Sequence, residues 1–275
     1  MSTATQTGMQ PANTAVGEPL LEVDSLRIQY GGVVAIAEMS FKIPSGSIVG
    51  LIGPNGAGKT SLVDGLMGAH RPSAGRVRFD GADVTGQAPH RLAQRGMTRT
   101  FQSVELFDDL NVEENLLVAA ERPALWRALA QILTPIGRPG AEAVAWAAEA
   151  VEIGDILERH PRELSHGQRK LVGVARALAG RPSLLLLDEP AAGLDTEETA
   201  LLGKRLRELP ERGITLLLID HDMSLVLDLC DHILVIDFGK LIAEGSPAEI
   251  RTNQRVIDAY LGRQGGHGDG RGGNQ

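Results

Sequence analysis

The sequence predicts an α/β fold with a mainly parallel core sheet, an antiparallel β-subdomain on its N-terminal side and a helical subdomain. Apolar residues partly alternate over 21–43, around the glycine pair Gly31 and Gly32, which is typical of half-exposed antiparallel strands joined by a turn. Short uninterrupted apolar runs are typical of parallel strands covered on both faces; they lie at 48–52, 184–187, 215–219 and 233–236. Helix-period segments lie between these runs, as an α/β domain requires.

The helical subdomain is expected over 103–180. Its central part, 115–160, is rich in Ala, Leu and Glu, and a turn cluster of Pro135, Gly137, Pro139 and Gly140 is expected to end one helix before the next begins. The whole domain is expected to span 20–262. Residues 1–19 contain no Lys or Arg and no apolar stretch, so we expect a disordered leader rather than a secretory signal. The Gly-rich segment 263–275 is expected to be a flexible tail.

Composition and net charge argue against several classes of protein. With 275 residues and 43% hydrophobic content, the chain can bury a substantial core. Its formal net charge of -8 argues against a nonspecific nucleic-acid binder, and no nucleic-acid partner is expected. The single cysteine, Cys230, excludes an intrachain disulfide and suits a reducing cytosol. The most apolar long segment, 116–133, is interrupted by charges, so no membrane span is predicted.

A glycine-rich segment lies between the apolar run at 48–52 and a helix-compatible stretch, and it matches the phosphate-binding P-loop pattern in full. Its glycines let successive backbone amides turn toward phosphate oxygens, and the next helix presents its positive end. We predict that Lys59 reaches the terminal phosphates and that Thr60 binds Mg²⁺. The predicted nucleotide-binding residues here are Gly53, Pro54, Asn55, Gly56, Ala57, Gly58, Lys59, Thr60 and Ser61.

Two adjacent carboxylates, Asp188 and Glu189, follow the apolar run at 184–187. Ligands of parallel sheets bind at the carboxyl ends of the strands, so these side chains are expected beside the P-loop. We predict that Asp188 holds Mg²⁺ and that Glu189 orients and polarises the water that attacks a γ-phosphate. The two motifs together predict hydrolysis of ATP with Mg²⁺ as the metal ion.

The segment 164–168, Leu-Ser-His-Gly-Gln, resembles the signature sequence of ATP-binding cassette (ABC) ATPases. Ser165 is a good N-cap residue, and Gly167 permits close approach of another backbone. The resemblance implies the ABC variant of the P-loop NTPase fold and a head-to-tail dimer with ATP at the interface. In that dimer Ser165, Gly167 and Gln168 meet the γ-phosphate bound by the opposite protomer. His166 departs from the commonest signature, which has glycine at this position.

The same resemblance covers four further positions. Tyr30 resembles the aromatic residue that stacks on adenine, and Gln102 resembles the residue that senses Mg²⁺ and water and links the site to a membrane subunit. Asp195 lies in a segment resembling the loop that crosses to the other protomer, and His221 resembles the switch histidine on the γ-phosphate. The resemblance thus implies catalytic residues Glu189, His221 and Gln102, and metal ligands Thr60, Gln102 and Asp188.

The resemblance spans about 20–262 and extends to the ATPase subunits of branched-chain amino acid importers. Five segments carry it, namely 96–102, 106–115, 188–193, 221–223 and 256–262. It implies a peripheral subunit on the cytoplasmic face of the cell membrane. The implied partners are transmembrane permease subunits, a second ATPase subunit that is the same chain or a paralogue, and indirectly a substrate-binding protein. The surface near 102–115 is expected to receive the permease.

Several alternatives stay open at this point. Urea and short-amide importers share much of the pattern, and a lipopolysaccharide-export ATPase shares the Asp220–His221 pair but lacks the long helical insert. Non-transport ABC ATPases are a different class: translation factors resemble two cassettes in one chain, chromosome ATPases carry long coiled coils, and an iron–sulfur assembly ATPase remains an alternative. A generic P-loop kinase would not need the segment 164–168.

Overall fold

The computed structural model describes residues 19–100, 105–120 and 140–261. The strands are β1 (Pro19–Tyr30), β2 (Val33–Pro44), β3 (Ile48–Ile52), β4 (Ala74–Phe79), β5 (Ala82–Asp83), β6 (Met97–Arg99), β7 (Leu184–Asp188), β8 (Thr215–Ile219), β9 (His232–Asp237) and β10 (Lys240–Gly245). The helices are α1 (Lys59–Leu66), α2 (Pro89–Gln94), α3 (Val112–Ala120), α4 (Ala141–Ala150), α5 (His166–Ala179), α6 (Thr196–Arg207), α7 (Met223–Leu229), α8 (Pro247–Thr252) and α9 (Gln254–Leu261). Short 3-10 turns occupy Gly154–Ile156, Pro161–Glu163 and Pro210–Arg212.

The N-terminal sheet is antiparallel, with strand order β2-β1-β4-β5. Strands β1 and β2 form a hairpin in which Tyr30 pairs with Val33, and Gly31 at the turn has a φ of 57°. A left-handed φ of this kind is easily adopted by glycine because glycine has no Cβ. The antiparallel sheet predicted from the alternation over 21–43 is therefore confirmed.

The second sheet has six strands in the order β10-β9-β3-β8-β7-β6. The five strands from β9 to β6 are parallel to their neighbours, and β10 is an antiparallel edge strand. Residues of each central strand alternate between two hydrophobic cores: in β3, Ile48 and Ile52 join one core, while Val49 and Leu51 join the other. One core lies against the antiparallel sheet and α1, and the other lies against the remaining large helices. This double burial explains why these strands are continuous apolar runs.

Helices α3, α4 and α5 pack against one another. The buried stripe of α5 contains Leu171, Val174, Ala175 and Leu178, at the spacing of one helical face. Of the predicted turn cluster, Gly140 precedes α4 with a φ of 88°, whereas Pro135, Gly137 and Pro139 lie outside the described residues. The predicted boundaries of the leader, the helical subdomain and the tail stay predictions. Within the described ranges, no helix is both long enough and apolar enough to cross a bilayer.

Candidate functional site

The loop 53–58, termed the phosphate loop below, connects β3 to α1 at the carboxyl edge of the parallel sheet. A Cβ at Gly53 would lie 2.1 Å from the carbonyl oxygen of Ile236, and one at Gly58 would lie 2.9 Å from that of Ala35. Gly58 also has a φ of 105°. These two glycines therefore let the loop pass between β9 and β2, where any side chain would collide with backbone.

The phosphate loop has the features of an anion cradle. The Lys59 ammonium group donates hydrogen bonds to the carbonyl oxygens of Gly53 at 2.6 Å and Pro54 at 3.2 Å, so it lies over the loop. The amide of Gly239 donates to the carbonyl of Ala57 at 2.8 Å and holds the loop from behind. Thr60 is exposed at the start of α1, and no described side chain caps this helix. The positive end of α1 is therefore free to face an anionic ligand.

Asp188 ends β7, and its carboxylate is paired with a cation that the sequence patterns did not single out. The Arg99 guanidinium contacts Oδ2 of Asp188 at 2.5 Å and Oδ1 of Asp64 at 2.7 Å. Burial disfavours the charge of Arg99, but the hydrogen bonds that it donates to Asp188 and Asp64 outweigh this effect, so the pKa of Arg99 is raised above its ordinary value. Arg99 of β6 thus joins the end of β7 to α1.

Glu189 follows directly and has a left-handed backbone, with a φ of 46°. Such a conformation costs a non-glycine residue about 1–3 kcal/mol and is typical of functional sites. The Glu189 amide donates to the carbonyl of Ile219 at 2.7 Å, which fixes this turn against β8. Its Oε1 atom lies 3.8 Å from Nδ1 of His221, whose side chain is 63% exposed. The structure thus brings the predicted catalytic glutamate and switch histidine together.

A buried carboxylate supports this turn from below. Asp220 is 1% exposed and accepts hydrogen bonds from the amides of His221 at 2.7 Å, Asp222 at 3.0 Å and Ala191 at 3.4 Å. Asp220 therefore links the segment carrying His221 to the segment that follows Glu189.

Lys170 of α5 is the buried cation beside this carboxylate. Its side chain is 5% exposed, and its ammonium group donates to the carbonyl oxygen of Glu189 at 3.4 Å. Burial lowers the pKa of Lys170, while the charges of Asp220 and Glu189 oppose that shift. Lys170 thus connects the helix of the signature segment to the backbone of the predicted catalytic residue.

Ser165 and Gln168 form a capping box at the start of α5. The Ser165 hydroxyl accepts from the Gln168 amide at 3.2 Å, and the Gln168 side chain accepts from the Ser165 amide at 3.0 Å. The Ser165 hydroxyl and the Gly167 amide both donate to Oε1 of Glu198, at 3.2 and 3.0 Å. The helix start therefore binds a carboxylate of α6, which fits the anion-binding character predicted for this segment.

Asp195 is the N-cap of α6 and accepts from the amide of Glu198 at 2.9 Å. Nearby, Nε2 of His166 lies 3.4 Å from the carbonyl oxygen of Ala192. The segment 191–195 thus lies against the start of α5 within one chain. Among the described contacts, those of Ser165, Gly167 and Asp195 lead to α6 rather than to the phosphate loop.

Tyr30 lies at the end of β1 and is 40% exposed. Its ring stacks on His70, with centroids 4.1 Å apart and an interplanar angle of 36°. Nε2 of His70 lies 3.1 Å from the carbonyl oxygen of Gln29, so the imidazole is tied to β1. Because Tyr30 pairs with Val33 and the nearby Ala35 abuts Gly58, this aromatic pair lies close to the phosphate loop.

Four residues of this region were missed by the sequence patterns: His70, Arg99, Lys170 and Glu198. A signal existed for Lys170, since it precedes the apolar stripe of α5 and falls on its buried side. Glu198 has the form of an ordinary acidic residue in a first helical turn, which conceals its contact with α5. Gln102, predicted to sense Mg²⁺ and water, lies outside the described residues.

Comparison with known proteins agrees with this geometry. Residues 36–192 match the family model "ABC transporter", and residues 240–265 match the model "Branched-chain amino acid ATP-binding cassette transporter". The chain is 41% identical over 253 residues to the high-affinity branched-chain amino acid transport ATP-binding protein BraF of Pseudomonas aeruginosa, covering 90% of this chain and 99% of BraF. It is 38% identical over 253 residues to LivG of Escherichia coli, with coverages of 90% and 99%.

Two further matches broaden the comparison. The lipopolysaccharide export system ATP-binding protein LptB of Haemophilus influenzae is 34% identical over 245 residues, covering 89% of this chain and 98% of LptB. A crystal structure of an ATP-binding cassette of an ABC transporter in its ADP conformation superposes with a TM-score of 0.77 at 30% identity, covering 89% of this chain and 99% of the other. These matches span nearly the full length of each relative. The chain therefore belongs to the ABC transporter family, of which it is an ATP-binding subunit with ATPase activity.

Proposed function

We propose that this subunit hydrolyses ATP to energise the import of branched-chain or closely related amino acids through separate membrane subunits. The observation that carries the proposal is that nearly the whole chain and, separately, its C-terminal segment match branched-chain amino acid transport proteins. BraF and LivG, which their names describe as branched-chain amino acid transport proteins, match over 99% of their lengths. The C-terminal segment 240–265 independently matches a model of the same description.

The phosphate loop, Lys59 and the start of α1 bind the phosphates of ATP in this proposal. Support comes from the open N-terminus of α1 and from the position of the Lys59 ammonium group over the loop, where it is bound by weak carbonyl acceptors. A phosphate oxygen is a stronger, charged acceptor, so Lys59 exchanges these carbonyls for the nucleotide. Tyr30, supported by His70, offers an exposed aromatic face for the adenine base.

The residues near the loop also fit Mg²⁺. Thr60 supplies a hydroxyl and Asp188 supplies a carboxylate oxygen, which are the hard ligands that this ion prefers beside phosphates and water. Arg99 contacts Oδ2 of Asp188, and in this proposal Oδ1 binds the metal or its water. Gln102 is the third ligand that the sequence predicts. When bound, Mg²⁺ neutralises part of the phosphate charge.

Glu189 acts as the general base. Its carboxylate takes a proton from water as the water oxygen bonds to the γ-phosphorus and the bond from that phosphorus to the β–γ bridging oxygen breaks. The products are ADP and phosphate. His221, whose imidazole faces Glu189, donates toward the γ-phosphate oxygens, where negative charge is held during transfer. The strained turn at Glu189 and the buried Asp220 keep the two side chains in this arrangement.

Two ATPase subunits close around two nucleotides in this mechanism. Ser165, Gly167 and Gln168 of one subunit then act on the nucleotide of the other, and Asp195 lies at the same interface. The proposal is supported by the anion-binding geometry at the start of α5, which already holds a carboxylate. The second subunit is another copy of this chain or a paralogue.

The proposed permease-docking surface is 105–112, on the cytoplasmic side of the membrane. Phe107 is 51% exposed in this segment, although it is a large apolar side chain. Arg176 of α5 lies over its ring at 6.0 Å and donates to the carbonyl of Glu105 at 2.7 Å. An exposed aromatic side chain on a held loop is typical of protein interfaces. A substrate-binding protein acts indirectly, through the permease subunits.

An uptake assay tests the transport proposal. In cells from which the chain has been deleted, wild-type protein should restore ATP-dependent uptake of radiolabelled leucine, isoleucine and valine. The Glu189→Gln variant should not restore it. Lys42→Ala, a change at an exposed residue of β2 that has no role in the proposed site, serves as a folded control. Wild-type leucine uptake in the Glu189→Gln strain would contradict the proposal.

A second candidate, lipopolysaccharide export, is favoured by the 34% identity to LptB over 98% of its length. The same Glu189→Gln strain distinguishes the two. Loss of lipopolysaccharide from the outer surface with normal amino-acid uptake would support export. Loss of uptake with normal surface lipopolysaccharide would support import.

A further inference from the structure

The start of α5 holds an internal anion. Oε1 of Glu198 accepts hydrogen bonds from the Gly167 amide at 3.0 Å and from the Ser165 hydroxyl at 3.2 Å. A Cβ at Gly167 would lie only 2.7 Å from the same oxygen, so the carboxylate can approach because this residue is glycine. One carboxylate oxygen therefore occupies both the backbone and the side-chain donor of the signature segment.

Glu198 reaches this position instead of a common local one. It is the third residue after the N-cap Asp195, and a glutamate there often bonds back to the amide of its own N-cap. The corresponding residues of α5 and α8, Gln168 and Glu249, do so and close capping boxes. In α6 the carboxylate crosses instead to the neighbouring helix, where the positive end of α5 favours it.

We propose that Glu198 fills, within its own chain, the anion position that the terminal phosphate of the partner's ATP takes when two subunits close. The proposal rests on the proposed function, in which Ser165 and Gly167 act on that nucleotide. The Gly167 amide has a single hydrogen, so it cannot donate well to the carboxylate and to a phosphate at once. Two anions at this helix end would also repel each other. Closure on ATP therefore requires Glu198 to withdraw.

This exchange raises the ATP concentration needed for closure. The protein must give up two hydrogen bonds, both to the charged carboxylate of Glu198, before the partner's phosphate gains the same donors. The apparent affinity is lowered by the fraction of molecules whose donors are occupied. Because Asp195 caps the helix that carries Glu198, withdrawal also loosens the contact of the segment 191–195 with α5. Glu198 is thus a positioning residue that sets when the sandwich closes.

The experiment titrates the full chain with ATP in the presence of Mg²⁺ at one protein concentration. The fraction of dimer is measured by size-exclusion chromatography at each ATP concentration. The reference is Glu189→Gln, which retains ATP, and the test protein adds Glu198→Gln to it. We expect the ATP concentration for half-maximal dimer to fall about tenfold, equivalent to about 1.4 kcal/mol. The matched control is Glu197→Gln, the same change at the exposed neighbour on α6, and it should leave the midpoint unchanged.

A purely structural role of Glu198 predicts a different change in the ATP midpoint. If Glu198 only fastened α6 to α5, its loss would raise the midpoint or leave it unchanged, and either result overturns the proposal. Should the double variant fold poorly, Glu198→Asp keeps the charge but shortens the reach to α5, and it should lower the midpoint too. If Glu189→Gln alone forms no dimer with ATP, the proposed sandwich fails as well. If it dimerises and the Glu198 variants do not shift the midpoint, only the present inference fails.

Discussion

Nδ1 of His221 lies 3.8 Å from Oε1 of Glu189, across the gap between the ends of β8 and β7. This relationship depends on the left-handed turn at Glu189 and on Asp220, which holds the His221 amide.

Glu189→Gln should slow ATP hydrolysis by about 10²- to 10⁴-fold, because the amide cannot accept the proton of the attacking water. Binding of ATP should persist, since the phosphate loop is unchanged. Single-turnover hydrolysis and equilibrium binding of a fluorescent ATP analogue measure the two effects separately. An equal loss of binding and hydrolysis would contradict the assigned role.

Lys59→Ala should instead weaken ATP binding, by about 10- to 100-fold if one charge-assisted hydrogen bond is lost. The fold should survive, because the substitution removes side-chain hydrogen bonds to two loop carbonyls, at 2.6 and 3.2 Å, and leaves the buried residues of α1 unchanged. Binding titrations beside circular dichroism spectra check both parts. Lys59→Arg is the matched variant that keeps the charge. Normal affinity in Lys59→Ala would remove this residue from the site.

Tyr30→Ala should raise the KM for ATP by roughly 5- to 100-fold with little change in kcat, because base stacking contributes about 1–3 kcal/mol per base. Tyr30→Phe retains the ring and should behave as wild type. A steady-state assay of the two variants provides the comparison. A fall in kcat with an unchanged KM would assign Tyr30 to the core of the hairpin rather than to adenine.

Cys230 should react very slowly with thiol reagents in the folded protein. Burial raises the pKa of its thiol to about 12, and the neighbouring charge of Asp231 acts in the same direction. The reactive thiolate is therefore scarce at pH 8–9, where an ordinary cysteine is already partly ionised. Labelling by a chromogenic disulfide should be slow in buffer at pH 8 and fast in denaturant. Rapid labelling of the native chain would show that the thiol is accessible.

Asn115→Ala should destabilise the fold by about 2–4 kcal/mol, because it removes a fully buried amide and leaves its partners unsatisfied. The side chain accepts from the Phe107 amide at 2.9 Å and donates to the carbonyls of Phe107, Leu110 and Asn111. Urea unfolding measures the change, and Asn111→Ala at the more exposed helix start should cost less. Equal losses from both variants would contradict the importance of burial.

Local patterns were sufficient for the parallel strands and for the N-cap of α5. Apolar runs such as 184–187 have no polar face, so burial on both sides of a sheet is the arrangement that suits them. Ser165 three residues before Gln168 is a capping box, which depends on neighbours in sequence alone. The order of the P-loop, the carboxylate pair and the signature segment then identified the fold family.

Contacts between segments that are distant in the sequence could not be predicted from it. Arg99 bridges carboxylates that lie 35 and 89 residues away, and its partners become visible only once β6 and β7 pair. The stacking of His70 on Tyr30 and the crossing of Glu198 to α5 depend likewise on tertiary packing. In each case the residue type permits an ordinary surface role, and only the geometry distinguishes it.

The amide of Asn115 ties both ends of the turn 107–111 to the first turn of α3, and α3 packs on α5. Because Asn115 holds both ends of the turn, the turn is rigid, and a force on Phe107 is transmitted rather than absorbed by bending of the loop. Phe107 is connected through Asn115 and α3 to α5, the helix that begins in the signature segment. The buried Asn115 side chain thus couples the proposed permease-docking surface to the proposed nucleotide interface.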